Sequence, residues 1–251
     1  MTAKAVSTGS LILMWTWYNS TLIKIEKTTS TTWRFWLKVD ELDKIDFRAG
    51  QFITMDLPIH ERRRKRWRSY SIANPPNEQN VIELAIAYYE GGLASEYLFK
   101  EIKEGDTITF KGPDGAFYLP KNIETDLVFV CTGTGVAPFR SMIGDLEKRG
   151  FDQRNIHLIF GTRYENSILY REEFEQLAEK YPNFDYTIAL SREENWTGVK
   201  GYVHQVYEER YQDKPDTRFY LCGWQYMVDE ARERLTKMGF DKTKVFYELY
   251  G

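Results

Sequence analysis

The pattern of apolar and polar positions changes character about halfway along the chain. Before Pro120, short runs rich in β-branched and aromatic residues are separated by turns such as Arg48-Ala49-Gly50. Short strands divided by turn residues are typical of antiparallel β structure. The runs predict strands at 22–27, 33–39, 51–57, 69–73, 81–87 and 106–111, with one helix at 93–102. We therefore expect the first half to form an antiparallel β-barrel.

After Pro120 the strand-like runs alternate with helical ones. The runs predict strands at 127–131, 156–160, 186–190, 218–222 and 245–248. Between them, apolar residues recur at the spacing of a helix face, as in Phe139, Met142, Ile143 and Leu146. Such alternation implies a parallel sheet with helices on both faces. We therefore expect a β + α/β chain, with an antiparallel β-barrel domain over 16–121 and a Rossmann-like parallel-sheet domain over 122–251.

Composition and charge narrow the class of protein. The chain has 251 residues, of which 42% are hydrophobic and 28% are charged, so it can bury a core. Its formal net charge of -3 argues against nucleic acid as the main partner. The two cysteines are too few for a disulfide framework or a four-cysteine iron–sulfur site, so we expect a reduced, cytoplasmic setting and no metal site. The short apolar run 11–15 is interpreted as a tail leading into the first strand, and no run is long enough to span a membrane.

One strand in the barrel carries an unusual set of polar side chains. In Arg68-Ser69-Tyr70-Ser71, alternation puts Arg68 and Tyr70 on one face of an extended chain. The forked guanidinium of Arg68 suits a phosphate, and the ring of Tyr70 suits a flat partner. Ser71 adds a small hydroxyl one step further on. The set predicts a flavin nucleotide site, with an ordinary basic strand as the alternative.

Two glycine-led segments open predicted helices. The first, with Thr132, Gly133 and Gly135, follows an apolar strand, where the glycines allow a tight turn and the helix N-terminus attracts a phosphate. The second lies in the barrel and comprises Gly92, Leu93, Ala94 and Ser95. Both are predicted phosphate sites. A structural turn is the alternative for the first, and a plain helix cap by Ser95 is the alternative for the second.

Two further groups lie at the predicted carboxyl edge of the parallel sheet, where open α/β sheets bind ligands. Cys222 and Gly223 stand at the end of a predicted strand and are followed by Met227, so Cys222 is predicted to face a ligand. A buried cysteine in the core is the common alternative. Two cations, a hydroxyl and an aromatic ring follow the third strand of this sheet, at Ser191, Arg192, Lys200 and Tyr202. This second group predicts a site for the 2′-phosphate and adenine of NADP, with a solvated loop as the alternative.

A basic cluster immediately precedes the flavin strand. It comprises Arg62, Arg63, Arg64, Lys65 and Arg66. Unpaired charges at this density must be mostly solvated, because burying them is prohibitive. The cluster predicts a docking site for an acidic electron-carrier protein, which the local field would steer there. A solvated loop is the plain alternative, and nucleic acid lacks a supporting basic face elsewhere in the chain.

The order of these motifs resembles that of the ferredoxin–NADP reductase family of flavoproteins. The matching motifs are R-x-Y-S at 68–71, G-x-x-S at 92–95, G-P-x-G-x-F at 112–117, G-T-G-x-A-P at 133–138, C-G-x-x-x-M at 222–227 and the plant-type E-x-Y at 248–250. The resemblance covers the chain from about Thr21 to Gly251. The chain departs from the family pattern at three places. Gly251 lies beyond the terminal tyrosine, the basic residue that many relatives carry before G-x-x-S is absent, and the loop before the flavin strand is unusually basic.

The resemblance implies an FAD-binding barrel and an NADP-binding α/β domain. It implies catalytic roles beside the flavin N5 and the nicotinamide C4 for Ser71, Cys222 and Glu248. It implies that Tyr70 and Tyr250 cover the two faces of the flavin ring. The full set of cofactor-binding residues expected from the motifs is Arg68, Tyr70, Ser71, Ile86, Tyr88, Gly92, Leu93, Ala94, Ser95, Thr132, Gly133, Gly135, Ser191, Arg192, Lys200, Tyr202, Cys222, Gly223, Met227 and Tyr250.

The resemblance also implies an activity. We expect an NADPH-dependent flavoenzyme that passes a hydride from NADPH to FAD and then single electrons to an external ferredoxin or flavodoxin. A close alternative is the reductase component of an oxygenase system. A third possibility, from another class, is a redox-silent nucleotide-binding module, and the presence of Ser71, Cys222 and Glu248 argues against it.

Overall fold

The first of two sheets is antiparallel and is built from the first half of the chain. The computed structural model describes residues 16–151 and 154–250, so the predicted tail at 11–15 and Gly251 lie outside the described residues. The strands are β1 (Trp17–Lys27), β2 (Thr32–Val39), β3 (Phe52–Asp56), β4 (Trp67–Ser71), β5 (Val81–Ala87) and β6 (Thr107–Asp114). Their order is β4-β3-β6-β1-β2-β5. A bridge between Ile72 and Leu84 joins the two outer strands, so the sheet closes as the predicted barrel.

The barrel is filled by alternate residues of its strands. Leu22, Phe35, Leu37, Ile53 and Met55 are at most 1% exposed and pack in one cluster. This follows from the strand period, which sends every second side chain to the same face. The short helix α1 (Leu93–Glu96), continued by a π-helical turn over Tyr97–Glu101, adds Ala94 and Leu98 to the same core.

The second sheet is parallel throughout. Its strands are β7 (Asp126–Thr132), β8 (Ile156–Thr162), β9 (Phe184–Leu190), β10 (Val199–Lys200), β11 (Thr217–Trp224) and β12 (Val245–Tyr250). Their order is β10-β9-β8-β7-β11-β12. The chain winds outward from β7 in one direction and then returns to β11 on its other side. The point where the order reverses, between β7 and β11, is where ligands bind in folds of this kind.

Helices cover both faces of the parallel sheet. They are α2 (Val136–Lys148), α3 (Arg171–Lys180), α4 (Val203–Arg210) and α5 (Gln225–Lys237). Residues of β7 alternate between the two faces: Phe129 packs with residues of α2 and α3, and Val130 packs with residues of α4 and α5. The predicted doubly wound α/β architecture is therefore confirmed. Among residues 16–151 and 154–250, no helix combines the length and the apolar character needed to cross a membrane.

The elements differ from the predicted ones mainly at their ends. Strand β6 runs on to Asp114, three residues beyond the predicted strand at 106–111, because it continues to pair with β3 there. Strand β10 has only two residues and was not predicted. The last strand of the antiparallel sheet ends at Asp114, and the first strand of the parallel sheet begins at Asp126. The exact domain boundary at 121/122 stays a prediction.

One apolar cluster crosses the seam between the domains. Ala49, Ala73 and Phe117 come from the barrel side and pack in the same cluster as Phe129 and Phe139 of the α/β domain. Phe117 lies 5.9 Å from Phe139 between ring centroids. This shared core holds the end of β4 against the carboxyl edge of the parallel sheet.

Candidate functional site

The three predicted catalytic residues meet where β4 reaches the edge of the parallel sheet. The Ser71 hydroxyl donates to Oε2 of Glu248 at 3.1 Å and accepts a hydrogen bond from the Tyr250 hydroxyl at 2.6 Å. Strand register pairs Cys222 with Glu248, so their side chains leave the sheet on the same face. The sheet thus supplies three of these groups, and the barrel supplies the fourth.

This hydride-end group, Ser71, Cys222, Glu248 and Tyr250, is poor in charge. Cys222 is fully buried, and Ser71 is 4% exposed. Burial raises the pKa of Glu248 to about 7, although the hydrogen bond from Ser71 acts in the opposite direction. Burial also raises the pKa values of the Cys222 thiol and the Tyr250 hydroxyl well above their ordinary values. The thiol and the phenol therefore stay un-ionised near neutral pH, and the carboxyl is poised to gain or lose a proton.

The glycine loop after β7 lies directly against the end of β11. A Cβ on Gly135 would lie 2.4 Å from the carbonyl oxygen of Cys222, so any side chain there would push the glycine loop away from the end of β11. Gly223 has a φ of +136°, and a Cβ on it would lie 2.5 Å from Oγ1 of Thr132. The Thr132 hydroxyl in turn accepts from the backbone N–H of Trp224 at 3.3 Å. Both glycines are therefore needed for the strand ends to approach each other.

A cleft of about 830 Å³ opens over these strand ends. Thr132, Gly133, Gly223, Met227 and Tyr250 line its hydride end. Its opposite wall comes from the barrel, through the hairpin residues Ser30, Thr31 and Thr32 and through Ala87. A cleft of this size at a switch point of an α/β sheet suits a nucleotide. The predicted glycine loop lies in its floor.

Of the four residues predicted to bind the 2′-phosphate and adenine of NADP, only some line the other end of the cleft. Ser191 and Tyr202 line the wall, and Tyr202 is 68% exposed. Arg192 is exposed, and the Lys200 ammonium donates to the carbonyl oxygen of Glu194 at 2.9 Å. Neither Arg192 nor Lys200 is among the lining residues. The structure thus brings two of the four predicted residues to the cleft.

Several residues that line the cleft were not predicted. At the adenine end these are Arg163 and Asn166, after β8, and Glu230 on α5. Glu230 lies 3.3 Å from Nε2 of His204, a second unpredicted residue of the wall. The signal that could have identified Arg163 is its position just beyond β8, at the carboxyl edge of the parallel sheet.

The flavin strand has the predicted alternation. Arg68 pairs with Met55 and Tyr70 pairs with Ile53, so both side chains leave β4 on the face of the barrel core. The Arg68 guanidinium donates from Nη1 to the carbonyl oxygens of Lys65 at 3.0 Å and Trp67 at 2.8 Å. Burial raises the pKa of Tyr70 to about 12, so its hydroxyl stays neutral.

The G-x-x-S element has one hydrogen-bond donor without a partner among the described residues. The Ser95 hydroxyl accepts from the backbone N–H of Tyr89 at 2.9 Å, and its own proton has no acceptor among the described residues. Gly92 packs against Tyr89 so closely that a Cβ would lie 3.0 Å from the tyrosine ring. Tyr88 donates to Glu96 at 2.5 Å. Leu93 is exposed, whereas Ala94 lies in the barrel core.

These residues fit FAD by the chemistry of their donors. The Arg68 fork has N–H groups beyond the two used by backbone carbonyls, and Ser95 has a free hydroxyl proton, so both suit phosphate oxygens. Tyr70 offers a half-buried ring beside Ser71. Ile86 does not fit through its side chain, which is 2% exposed and packs in the barrel core, so only its main chain is available to a ligand. As contacts to a cofactor, these positions stay predictions.

The basic cluster forms a 3₁₀ turn, Arg63–Lys65, just before β4. Arg63 and Arg66 both pair with Asp56, at 3.1 and 2.8 Å. Arg62, Arg64 and Lys65 are exposed, and their side chains have no ion pair with any described residue. The cluster therefore presents at least three solvated cations at the end of β4 that is farther from Ser71.

Two family models match the chain. Residues 19–118 match the model described as "Oxidoreductase FAD-binding domain", and residues 129–233 match the one described as "Oxidoreductase NAD-binding domain". The first match spans the antiparallel barrel, and the second spans most of the parallel sheet. Together they leave only the chain ends and a short connection unmatched.

Curated relatives share these domains but are longer. The chain is 35% identical over 219 residues to the reductase component of phenol 2-monooxygenase from Pseudomonas sp. strain CF600, covering 84% of this chain and 60% of the relative. It is 32% identical over 258 residues to one component of a Na⁺-translocating NADH-quinone reductase from Klebsiella pneumoniae, covering 86% of this chain and 63% of the relative. The chain thus spans about three fifths of the length of these relatives.

Solved structures share the fold over almost the whole chain. A cytochrome P450 reductase from Amycolatopsis superposes with a TM-score of 0.85 at 25% identity, covering 93% of this chain and 69% of that one. A ferredoxin NADP⁺ reductase from Neisseria gonorrhoeae, solved with FAD and NADP bound, superposes with a TM-score of 0.78 at 23% identity, covering 93% and 98%. The second likeness concerns the fold alone.

Proposed function

We propose that this chain, which combines an oxidoreductase FAD-binding domain with an oxidoreductase NAD-binding domain, is a reductase of the ferredoxin–NADP reductase family that takes a hydride from a nicotinamide nucleotide and delivers single electrons to a separate acceptor. Bound FAD would supply the conversion of a hydride into single electrons. The protein's part is to bind both nucleotides, align them and keep the reacting end free of unwanted charge.

The observation that carries this proposal is the hydrogen-bonded chain across the domain seam. Tyr250, which lines the nucleotide-sized cleft, donates to Ser71, and Ser71 donates to Glu248 behind it. In this role Cys222 and Ser71 shape the nicotinamide pocket without ionising. Glu248 holds a proton close to the reacting atoms, since its pKa is about 7. A redox-silent module would have no need of a half-buried carboxyl at this position.

The test of the proposal is whether the purified protein carries a flavin and accepts a hydride. We expect a yellow protein whose flavin absorbance is bleached by a nicotinamide nucleotide without oxygen, and restored by a one-electron acceptor. Acid release and chromatography should give FAD rather than FMN, because both Arg68 and Ser95 offer donors to a pyrophosphate. A colourless protein that gains no flavin on reconstitution would remove the proposal, and recovery of FMN alone would remove its FAD part.

For the nucleotide, we propose NADPH as the first candidate. Ser191, Tyr202 and Arg163 line the adenine end of the cleft, and the exposed Arg192 follows Ser191 directly, so this end offers hydroxyl and cationic groups that would suit a 2′-phosphate. NADH is the second candidate. One support is that the Lys200 ammonium bonds to the Glu194 carbonyl outside the cleft wall, where it would not bind a 2′-phosphate. A second support is the relative named as a component of an NADH-quinone reductase.

Steady-state kinetics with both nucleotides separates the candidates. If NADPH is preferred through Arg192, Arg192→Ala should raise the KM for NADPH about tenfold or more and leave that for NADH nearly unchanged, because it removes one charge-assisted phosphate contact. Arg163→Ala provides the matched comparison from the cleft wall. A parent enzyme with a higher kcat/KM for NADH, and equal small losses in both variants, would make NADH the substrate.

For the acceptor, we propose an acidic carrier protein such as a ferredoxin or flavodoxin, docking at residues 62–66. Support comes from Arg62, Arg64 and Lys65, which are solvated cations on a chain of net charge -3. A local positive field of this kind speeds association with an acidic partner and fades with salt. Strand β4 spans about 16 Å, so a carrier bound there would lie one short strand from Ser71.

The docking proposal is tested by reversing the three unpaired charges to Glu together, which leaves both ion pairs of Asp56 intact. We expect slower reduction of an acidic carrier at low salt and an unchanged rate with a neutral quinone. A control variant with the same charge change, at the exposed residues Lys38, Lys103 and Lys242, should keep the parent rate with both acceptors. Equal carrier rates in the parent and the 62–66 variant at low salt would end the docking proposal.

A second acceptor class is an oxygenase, with this chain as its reductase. Support comes from the relative named as the reductase component of phenol 2-monooxygenase. The two classes differ in whether reduction of a free carrier is fast. Anaerobic turnover with ferredoxins and flavodoxins from the same source, compared with turnover when an oxygenase and its substrate are added, distinguishes them.

A further inference from the structure

A buried carboxylate joins the two domains behind the hydride end. Glu83 is 3% exposed and lies in β5, where its neighbours in sequence are apolar. Its Oε1 accepts from Nε of Arg34 at 2.6 Å and from the Tyr170 hydroxyl at 2.9 Å. Its Oε2 accepts from Nη1 of Arg140 at 3.0 Å. Arg34 and Glu83 belong to the barrel, whereas Arg140 and Tyr170 belong to the α/β domain.

Tyr170 is held between the two arginines. The guanidinium carbons of Arg34 and Arg140 lie 4.9 and 4.5 Å from its ring centroid. Cations at this distance from an aromatic ring are attracted to it, more strongly where water is excluded. Tyr170 has a φ of +55°, a backbone conformation that residues with a side chain seldom adopt, immediately before α3. The surrounding contacts thus hold this tyrosine in an uncommon backbone geometry.

Arg140 also reaches the chain just beyond the flavin strand. Its Nη1 donates to the carbonyl oxygen of Ala73 at 3.1 Å, and its Nε donates to the Glu173 carboxylate at 2.8 Å. Ala73 is two residues after Ser71. One guanidinium therefore bonds to the barrel's buried carboxylate, to its main chain beside Ser71, and to α3.

The same face of α2 contacts the next three residues of the barrel. The Ser141 hydroxyl donates to the carbonyl oxygen of Asn74 at 2.8 Å, and the Lys148 ammonium donates to that of Pro76 at 2.5 Å. Between them Gly144 lies so close to Pro75 that a Cβ would be 2.9 Å from Cγ of the proline. Helix α2 itself begins directly after the glycine loop. One helix thus joins the nucleotide loop to the end of the flavin strand.

We propose that Arg140, with Glu83 and Tyr170, is a positioning device for hydride transfer. It fixes the separation between Ser71 and the glycine loop, and so the approach of the nicotinamide to the flavin. Arg140 lines neither the cleft nor the hydride end, so it acts through the main chain at Ala73. The proposal rests on the proposed function for its chemical consequence, but the geometry that it assigns can be measured without it.

The chemistry of the network explains why arginine is needed. A single Nη1 group serves Glu83 and Ala73 while Nε serves Glu173, which requires a rigid fork of donors. A lysine would keep the charge but not these directions. Hydrogen bonds to a buried carboxylate depend on both distance and angle, so they fix the orientation of the guanidinium in a way that non-directional apolar contacts do not.

The experiment compares Arg140→Lys with Arg149→Lys at the C-terminal end of the same helix, where the Arg149 ion pair stays local, at Asp145. In stopped flow, Arg140→Lys should slow hydride transfer roughly tenfold to a hundredfold, since a shift near 1 Å has such an effect. The nucleotide Kd should change less than about twofold, because no cleft residue is altered. The primary isotope effect should become more temperature-dependent in Arg140→Lys only. An unchanged transfer rate, or equal losses in Kd and rate, would overturn the proposal.

Hydrogen exchange tests the same device without turnover. In the purified protein without nucleotide, Arg140→Lys should speed exchange at the Ala73 amide, which bonds to the Glu83 carbonyl at 2.8 Å, and Arg149→Lys should not. Should Arg140→Lys fail to fold, Tyr170→Phe removes one hydroxyl and should give a smaller change of the same kind. Equal exchange in the parent and both network variants would refute the device. A parent protein that accepts no hydride would refute only the proposed function.

Discussion

The two ends of the nucleotide cleft are built differently. At the hydride end, Cys222, Glu248 and Tyr250 come from two neighbouring strands in fixed register, and Ser71 comes from a strand of the other domain. At the adenine end, Ser191, Arg192 and Lys200 follow β9 in a loop and a two-residue strand, and their side chains diverge.

The difference shows which part of the site the fold itself determines. Register within a parallel sheet sets the hydride end, because the positions of paired residues follow from the strands. Loops set the adenine end, where the side chains are exposed and few contacts hold them. Substitutions at the hydride end should therefore have strong and specific effects. Substitutions at the adenine end should have weak effects except where a side chain bonds the nucleotide directly, as we propose for Arg192.

The largest expected effect concerns the proton on Glu248. Its pKa lies at about 7 in the folded protein, against an ordinary 4.5, so the folded state binds the extra proton between these pH values. The contribution of this carboxyl to the free energy of unfolding is therefore fully present below pH 4.5 and is lost as pH rises through 7, a total of about 3 kcal/mol. Glu248→Gln should lack this fall. Urea unfolding of the parent and the variant at pH 5 and pH 8 measures it, and identical pH dependences would contradict the assignment.

The next effect concerns the close approach of the strand ends. In Gly135→Ala the new Cβ meets the Cys222 carbonyl, so we expect a loss of about 1–3 kcal/mol in unfolding free energy and slower hydride transfer. The matched control is Gly133→Ala, whose Cβ meets nothing within 4 Å but whose φ is +53°. That control should lose about 1 kcal/mol from backbone strain alone. Equal transfer rates in the two variants would mean that the contact at Gly135 is unimportant for the hydride end.

The two cysteines offer a sharper test. Cys131 and Cys222 are both fully buried and are paired in register, but only Cys222 lies beside Tyr250 and Glu248. Cys222→Ala should slow hydride transfer about tenfold, equivalent to about 1.4 kcal/mol, with the flavin still bound. Cys131→Ala should cost similar stability and leave the transfer rate unchanged. If both variants transfer hydride at the parent rate, Cys222 is simply a core residue.

The smallest effect is expected at the adenine end. Lys200→Ala removes an ammonium that bonds to the Glu194 carbonyl, so the KM for either nucleotide should change less than about twofold, the usual scale for an exposed contact. A tenfold rise in the KM for NADPH alone would show that Lys200 turns into the cleft when the nucleotide binds. The adenine end would then be organised by its ligand rather than by the fold.

The sequence indicated the site wherever local pattern and topology agreed. Gly133 and Gly135 follow an apolar strand and precede an amphipathic helix, so topology alone puts them at the switch point. The barrel and the parallel sheet followed from strand spacing in the same way. The family resemblance added the pairing of Ser71 with Glu248, which lie 177 positions apart in the chain.

The rest depends on contacts that no local pattern contains. Strand β10 has two residues, too few to have a period. Lys200 was expected in the cleft because its charge suits a phosphate, but a nearby carbonyl competes for it. Glu83 did carry a signal, since a carboxylate within an apolar strand requires buried partners. Its partners, Arg140 and Tyr170, could not be identified before the two domains were brought together.

The contact between Gly144 and Pro75 has a consequence for attempts to make the protein more heat-resistant. Replacing a mid-helix glycine by alanine is a standard step, because alanine favours a helix by about 1 kcal/mol. Here the added methyl would lie 2.9 Å from Pro75, so the helix would gain order while the domains were pushed apart. A propensity-guided library would propose alanine at this position, although the contact with Pro75 offsets the gain in helix stability and disturbs the seam between the domains. Gly144 is therefore a position that such libraries should leave unchanged.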